Sequence, residues 1–334
     1  MASSMKAIQI KNTGGVEVLE HVTIERPKIT EPTDVLRKAQ IVGISLVPLI
    51  IKSDEYVFFG RTGLYKLPLP AVIGREGSGV VEAVGDSVKD IRPGDHVAYM
   101  SSSSYAEFTI AHSKHVAKVP NDLDLKLVAA SLLQGLTSWI MVTQSYEVKK
   151  DDYILIHAAA GGCGLLLVQL VKNCGAHAIG TVSNDEKAKL AISAGAEHVI
   201  NYSNQNVVEE VMRITDNKGV HAVFDGVGKD TFETSLACAR RLGSVISFGN
   251  ASGAVPPFEI LKLAEKNLKL MRPTLFKYIE TEEEFKKYTA ELFAAIKEGK
   301  LNIKIWKTYK LSDVRQAHLD LEGRKTSGKL ILQL

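Results

Sequence analysis

DYILIHAAAGGCGLLLVQL, residues 152–170, is the stretch whose reading decides the fold. Tyr153, Ile154, Leu155 and Ile156 are β-forming residues in a continuous apolar run. That is the pattern of a central parallel strand covered on both faces. Small residues follow, with Ala159, Gly161 and Gly164 on the spacing G-x-G-x-x-G, alanine taking the first place. An apolar helical segment comes next. Small residues let backbone approach a pyrophosphate closely, and the helix start offers it N–H groups and a partial positive charge. A tight turn without a ligand is the plain alternative for a lone glycine motif. The flanking strand and helix, both legible here, favour a nucleotide.

The surrounding chain repeats the unit. Strands are predicted at 153–158, 177–182, 197–200, 222–227 and 244–249, with helices at about 163–174, 185–194, 205–214 and 230–240. Alternation of this kind builds a doubly wound parallel sheet. Before it, residues 5–125 carry short apolar runs at 7–10, 35–44, 78–84 and 95–100, separated by Gly, Pro and Asp turns, and read as an irregular, mostly β domain. Residues 127–142 have helical spacing. From Lys304 a strand, a helix and a strand return to complete the first domain. The expected division is 1–126 with 304–334, and 127–303.

The chain has 334 residues, 45% hydrophobic and 24% charged, with a net charge of +3. Such a balance gives no electrostatic case for nucleic acid or an anionic membrane as main partner. No apolar run of membrane-spanning length stands out. Cys163, Cys174 and Cys238 share no metal-ligand spacing, and an odd count without a secretory signal suggests reduced thiols. The expected compartment is the cytoplasm, with the nucleus as a further one.

In dinucleotide folds the second strand ends near the adenosine ribose, where an acid selects NAD and a basic group accommodates the phosphate of NADP. Here it ends at Thr181, Val182 and Ser183, with no carboxylate at the tip. Ser183 can donate to phosphate and Lys187 can supply charge. Asp185 and Glu186 fit better as the first turn of the next helix, where carboxylates offset the dipole. This favours NADP over NAD.

Six stretches carry a family resemblance: 74–99, 132–141, 157–170, 223–236, SFGNASG at 247–253 and MRPTLFKYI at 271–279. Together the chain resembles the zeta-crystallin-like quinone oxidoreductases of the medium-chain dehydrogenase/reductase superfamily, with fungal members nearest. The resemblance implies an α/β architecture: a GroES-like, mostly-β catalytic domain plus a doubly wound Rossmann domain that binds NADPH, usually in a homodimer. It also implies roles by position. Thr137, Ala160, Gly161, Gly162 and Cys163 match positions facing the nicotinamide side and pyrophosphate. Ser183, Lys187 and Tyr202 match the adenosine-phosphate pocket. Phe248, Gly249, Asn250 and Ser252 match the loop lining the nicotinamide, and Arg324 matches a C-terminal arginine that reaches the cofactor.

Many proteins of this architecture are zinc alcohol dehydrogenases with G-H-E where this chain has Gly74, Arg75 and Glu76. Arg75 stays protonated and cannot bind a metal. No cysteine precedes Cys163, so a catalytic thiolate and a four-cysteine lobe are both missing. The expectation is no metal, with Glu76 partnering Arg75 or a backbone group. Hydride from NADPH would then pass to an acceptor needing little activation, a quinone or an enone.

The chain departs from the family at residues 44–60, ISLVPLIIKSDEYVFFG, where relatives are shorter. Ser45 stands at an asparagine position. Tyr56 keeps an Asp-x-Tyr spacing, and Tyr65 belongs to the R-x-G-L-Y pattern. These three are the candidate catalytic residues. Either an altered loop presents Tyr56 again or catalysis is impaired. A second function class follows from the latter, an NADPH-binding crystallin-type or RNA-binding protein with little turnover. An enoyl-thioester reductase shares the fold as a third.

Overall fold

The computed structural model describes residues 4–44, 68–323 and 325–334. The chain divides into two compact units, Met1–Leu133 with Ile279–Lys297 and Ile303–Leu334, and Gln134–Tyr278 with Glu298–Asn302. In the first unit β1 (Ser4–Ile10) pairs antiparallel with β2 (Glu20–Glu25), and β3 (Asp34–Ile44) is the long central strand. β4 (Ala71–Val72), β5 (Glu76–Val84), β6 (His96–Met100), β7 (Phe108–His112) and β8 (Val116–Lys118) follow. Ile8, Val35, Val42 and Val97 are fully buried between these strands. Each contributes about 1.5–3 kcal/mol of burial free energy.

Helix α1 (Leu125–Ile140) leads into the second unit and ends in a π-helical turn, Met141–Ser145. By length and composition, Leu125–Ser145 could cross a membrane, contrary to the expectation that no such run exists. It is packed as a core helix, with 61% of its apolar window buried. The second unit is the doubly wound domain. β9 (Tyr153–Ile156), α2 (Gly162–Asn173), β10 (His177–Val182), α3 (Asp185–Ala194), β11 (His198–Asn201), α4 (Val207–Ile214), β12 (Val220–Asp225), α5 (Phe232–Cys238), β13 (Ala239–Ser247) and β14 (Lys269–Met271) build it. The sheet order is β11-β10-β9-β12-β13-β14, all parallel. Central β9 places Ile154, Leu155 and Ile156 at zero exposure, as the continuous apolar run predicts.

α6 (Leu275–Tyr278) is a single short turn, and helix α7 (Glu282–Lys297) packs with the first unit, whereas the sequence division placed it in 127–303. Its anchors are remote in sequence. His115 meets Phe285 edge-on at 5.7 Å and bonds the Ile279 carbonyl at 3.1 Å, while Lys286 and Lys297 pair with Asp90 and Asp122. β15 (Ile305–Lys310), α8 (Val314–Glu322) and β16 (Lys329–Gln333) then return as expected from Lys304 onward. β16 pairs antiparallel with β3 and closes the order β15-β16-β3-β5-β6-β8.

One core position opposes the fold. Arg37 on β3 is fully buried, its guanidinium carbon 3.6 Å from the Tyr99 ring centroid. Nη1 donates to the Val35 carbonyl at 3.1 Å, but Nε and Nη2 find no acceptor among the described residues. Burial drags the guanidinium pKa down to about 10 and pushes the Tyr99 phenol up to about 12. Among the described residues no carboxylate pairs with this desolvated cation, which costs stability. Arg37→Met is expected to raise the unfolding free energy by about 1–3 kcal/mol. A higher urea midpoint at constant m-value would show it.

Candidate functional site

The segments after the carboxyl ends of the parallel strands β9, β10, β11 and β13 carry the described sequence-predicted cofactor residues other than Thr137. The turn after β9 is fixed by its own backbone. Gly161 N–H donates to the Ala158 carbonyl at 2.9 Å, and Ala159 N–H to Thr181 at 3.0 Å. Ala158 sits in the left-handed region, φ 52°, which its small side chain tolerates. Gly161 caps α2 without any side chain, and the first turn carries the positive end of the helix dipole that an anion would meet.

Close approach requires the glycines. A Cβ on Gly164 would lie 2.2 Å from the Ala158 carbonyl oxygen, and one on Gly162 would lie 2.2 Å from Gln134 Oε1. A Cβ on Gly249 would meet the Gly226 carbonyl at 2.4 Å, and one on Gly226 would meet the Phe248 ring at 2.9 Å. At these four positions the neighbouring backbone or side chain leaves no room for a Cβ. The turns after β9, β12 and β13, together a cradle, are thus as tight as a glycine-bearing dinucleotide-binding turn requires, and the residues fit such a cofactor.

Ser183, Lys187 and Tyr202 come together at the tips of β10 and β11. Tyr202 N–H donates to the Val182 carbonyl at 3.0 Å, which sets Tyr202 beside Ser183. Tyr202 is 49% exposed, an open ring available for stacking. Asn184 caps α3, its Oδ1 accepting the Lys187 N–H at 2.9 Å. Asp185 and Glu186 occupy the first turn of α3, and Asp185 accepts from the Asn201 amide at 2.9 Å. Their helix-start role is the one expected. The N-cap itself was not anticipated, although an Asn before an acidic pair is its usual signal.

The loop after β13 is stitched to the loop after β12. Phe248 N–H donates to Asp225, Ala251 N–H to Gly226 and Ser252 N–H to Val227. Ser252 Oγ donates to the Val227 carbonyl and accepts the Asp230 N–H, both at 2.9 Å. That hydroxyl therefore holds the two loops together. Phe248, Gly249 and Asn250 are half-buried, as is Thr137 on α1. Ala160 is buried, so only its backbone can serve a ligand. Cys163 lies in the first turn of α2, its carbonyl accepting from Ser138 Oγ at 3.3 Å. Ser45, Tyr56, Tyr65 and Arg324 lie outside the described residues, as does the anomalous segment beyond Ile44.

Glu76, following the arginine that replaces a zinc-binding histidine, is fully buried. Its partner is Lys329, Nζ to Oε1 at 2.6 Å, and its Oε2 accepts the Leu133 N–H at 2.6 Å. A backbone group, one of the partners expected, is present, and Lys329 adds a charge that local sequence did not indicate. Among the described residues no three His, Cys, Asp or Glu side chains converge to hold a metal.

Sequence reasoning missed a buried polar group behind the cradle, made of His157, Thr181, Asp225, Thr231 and Ser235. Its signal was present: His157 and Asp225 end two otherwise apolar strands.

Together these features define a two-unit dinucleotide-binding oxidoreductase, with a GroES-like unit and a Rossmann unit. Residues 31–121 match the alcohol dehydrogenase GroES-like domain family, and residues 162–295 match the zinc-binding dehydrogenase family. The chain is 40% identical over 327 residues to a probable quinone oxidoreductase of Schizosaccharomyces pombe, covering 97% of this chain and 96% of that one. It superposes on the Escherichia coli quinone oxidoreductase solved with NADPH at a TM-score of 0.90, 38% identity, and coverage of 98% and 100%. A 2-haloacrylate reductase from Burkholderia is 39% identical over 269 residues, 79% of this chain and 81% of that one. The chain belongs to the quinone oxidoreductase family of the medium-chain dehydrogenase/reductase superfamily.

Proposed function

We propose that this protein reduces quinones with NADPH. The observation that carries the reading is the turn after β9, where Gly164 approaches the Ala158 carbonyl too closely for any Cβ and Gly161 caps α2 without a side chain, the tight strand-to-helix turn of a pyrophosphate-binding motif. Ser183 and Lys187 beside the β10 tip, where Thr181, Val182 and Ser183 include no carboxylate and Asp185 and Glu186 are engaged in the first turn of α3, support the phosphorylated cofactor. Bound there, NADPH would supply hydride from its nicotinamide ring. Gly162 and Cys163 would hold the pyrophosphate by backbone N–H groups. Phe248, Gly249 and Asn250 would line the nicotinamide, kept in place by the Ser252 staple. An acceptor with an activated double bond is the second reading, favoured by the similarity to the 2-haloacrylate reductase.

Purified protein mixed with NADPH and para-benzoquinone should consume both in equal amounts. Binding of NADPH without turnover on any quinone or enone would leave a cofactor-binding protein instead.

The family's dimeric habit also suits this chain. β14 ends the six-stranded sheet as an edge, and Leu242, Ile260 and Leu261 are 52%, 79% and 75% exposed. Two such edges pairing about a two-fold axis would satisfy the free backbone groups and cover the apolar side chains. Light scattering should give a dimer, and Ile260→Glu with Leu261→Glu should shift it to monomer. A wild-type monomer at micromolar concentration would contradict this assembly.

A further inference from the structure

The buried network behind the cradle has no part in the reading above. His157 follows β9 and is 5% exposed. Its Nδ1 lies 3.1 Å from Thr181 Oγ1, and its Nε2 lies 3.1 Å from Ser235 Oγ. Ser235 Oγ donates to Asp225 Oδ2 at 2.7 Å. Asp225 also accepts from Thr231 Oγ1 at 2.8 Å and from the N–H groups of Val227 and Gly228 at 2.9 and 3.0 Å.

Proton bookkeeping assigns the tautomer. Ser235 commits its single hydroxyl hydrogen to the carboxylate, so it can offer His157 only a lone pair. Nε2 therefore carries the imidazole hydrogen, and Nδ1 accepts the hydroxyl hydrogen of Thr181. Burial holds the imidazole pKa below its usual value, against the opposing pull of Asp225. The neutral ring suits this arrangement, in which every arm is satisfied.

The arms reach both ends of the cradle. Thr181 is two residues before Ser183 on β10. Asp225 ties down Val227 and Gly228, and the loop they begin is the one stitched to residues 248–253. We propose that His157 is a positioning residue for the cofactor, coupling the phosphate end of the cradle at Thr181 and Ser183 to the loop after β12. The proposal rests on the NADPH reading, and it acts through Thr181 and Ser235 rather than by contact with the ligand.

The full-length protein is titrated with NADPH and with 2′,5′-ADP, which carries the adenosine half alone. Three variants are compared: Thr181→Val, Ser235→Ala and the pair together. Ser235 belongs to α5, beyond the loop after β12, yet Ser235→Ala should weaken 2′,5′-ADP roughly three- to thirtyfold. The paired variant should lose less than the product of the two single losses, because both cut one relay. KM for NADPH should rise with kcat held at saturating cofactor. Unchanged 2′,5′-ADP affinity in Ser235→Ala, or losses that simply multiply, would overturn the proposal. Failure of the wild type to bind either ligand would instead remove the NADPH reading. If Ser235→Ala does not fold, His157→Leu serves: an aliphatic side chain removes both the donor to Ser235 and the acceptor for Thr181. It should weaken 2′,5′-ADP over the same range, and wild-type affinity would again overturn the proposal.

Discussion

Lys329→Met is expected to lower the unfolding free energy by about 3–5 kcal/mol. Lys329 and Glu76 are 2% and 0% exposed, and their 2.6 Å contact joins β16 to β5. Removing the ammonium leaves a carboxylate in a dry interior, walled in where a Cβ on Gly43 would stand 2.5 Å from Oε1. Breaking one half of a buried pair costs far more than removing both halves. Glu76→Gln combined with Lys329→Met should therefore recover most of the loss. Urea denaturation of the two single variants and the double variant measures it. A single-variant loss below about 1 kcal/mol would show that water reaches the pair.

Gly164→Ala is expected to weaken NADPH binding by about a hundredfold or more. The added Cβ would stand 2.2 Å from the Ala158 carbonyl oxygen and 2.7 Å from the Ala159 Cα. Both are backbone atoms, so the turn itself must move rather than a side chain. A misplacement of order 1 Å in such a site costs about a hundredfold. Gly299→Ala is the control. A Cβ there meets nothing within 4 Å, although the left-handed φ of 70° carries strain. It should cost roughly 1 kcal/mol of stability and leave cofactor affinity alone. NADPH fluorescence titration decides, and equal affinity of Gly164→Ala and wild type would remove the cradle from the site.

The parallel sheet was legible because its strands are short apolar runs that alternate with helical segments. α3 occupies residues 185–194 as predicted, its ends marked locally by Asn184 and by the left-handed Gly195. Elsewhere distant contacts override local pattern. The helix expected at 230–240 stops at Cys238, where Lys266 Nζ takes up the carbonyls of Leu236, Ala237 and Ala239. β13 consequently starts at Ala239, five residues ahead of expectation, with a register shift against β12. Glu76 finds its partner 253 residues away, a pairing no local spacing encodes. The glycine cradle and the β10 tip were readable because phosphate binding demands particular residue types at fixed offsets. His157 and Asp225 stood out as polar residues at strand ends, but their grouping with Thr181 and Ser235 was not readable, because a buried polar network is defined by what surrounds it, and its members come from β10, β12, α5 and the residue after β9.

NADPH and NADH consumption by the purified protein, each with para-benzoquinone in excess, tests NADPH-dependent quinone reduction most directly. Rapid NADPH oxidation is expected, with kcat/KM at least about tenfold above that for NADH, since a basic β10 tip accommodates the ribose phosphate. Equal or better use of NADH, or tight NADPH binding with no quinone-dependent oxidation, would contradict it.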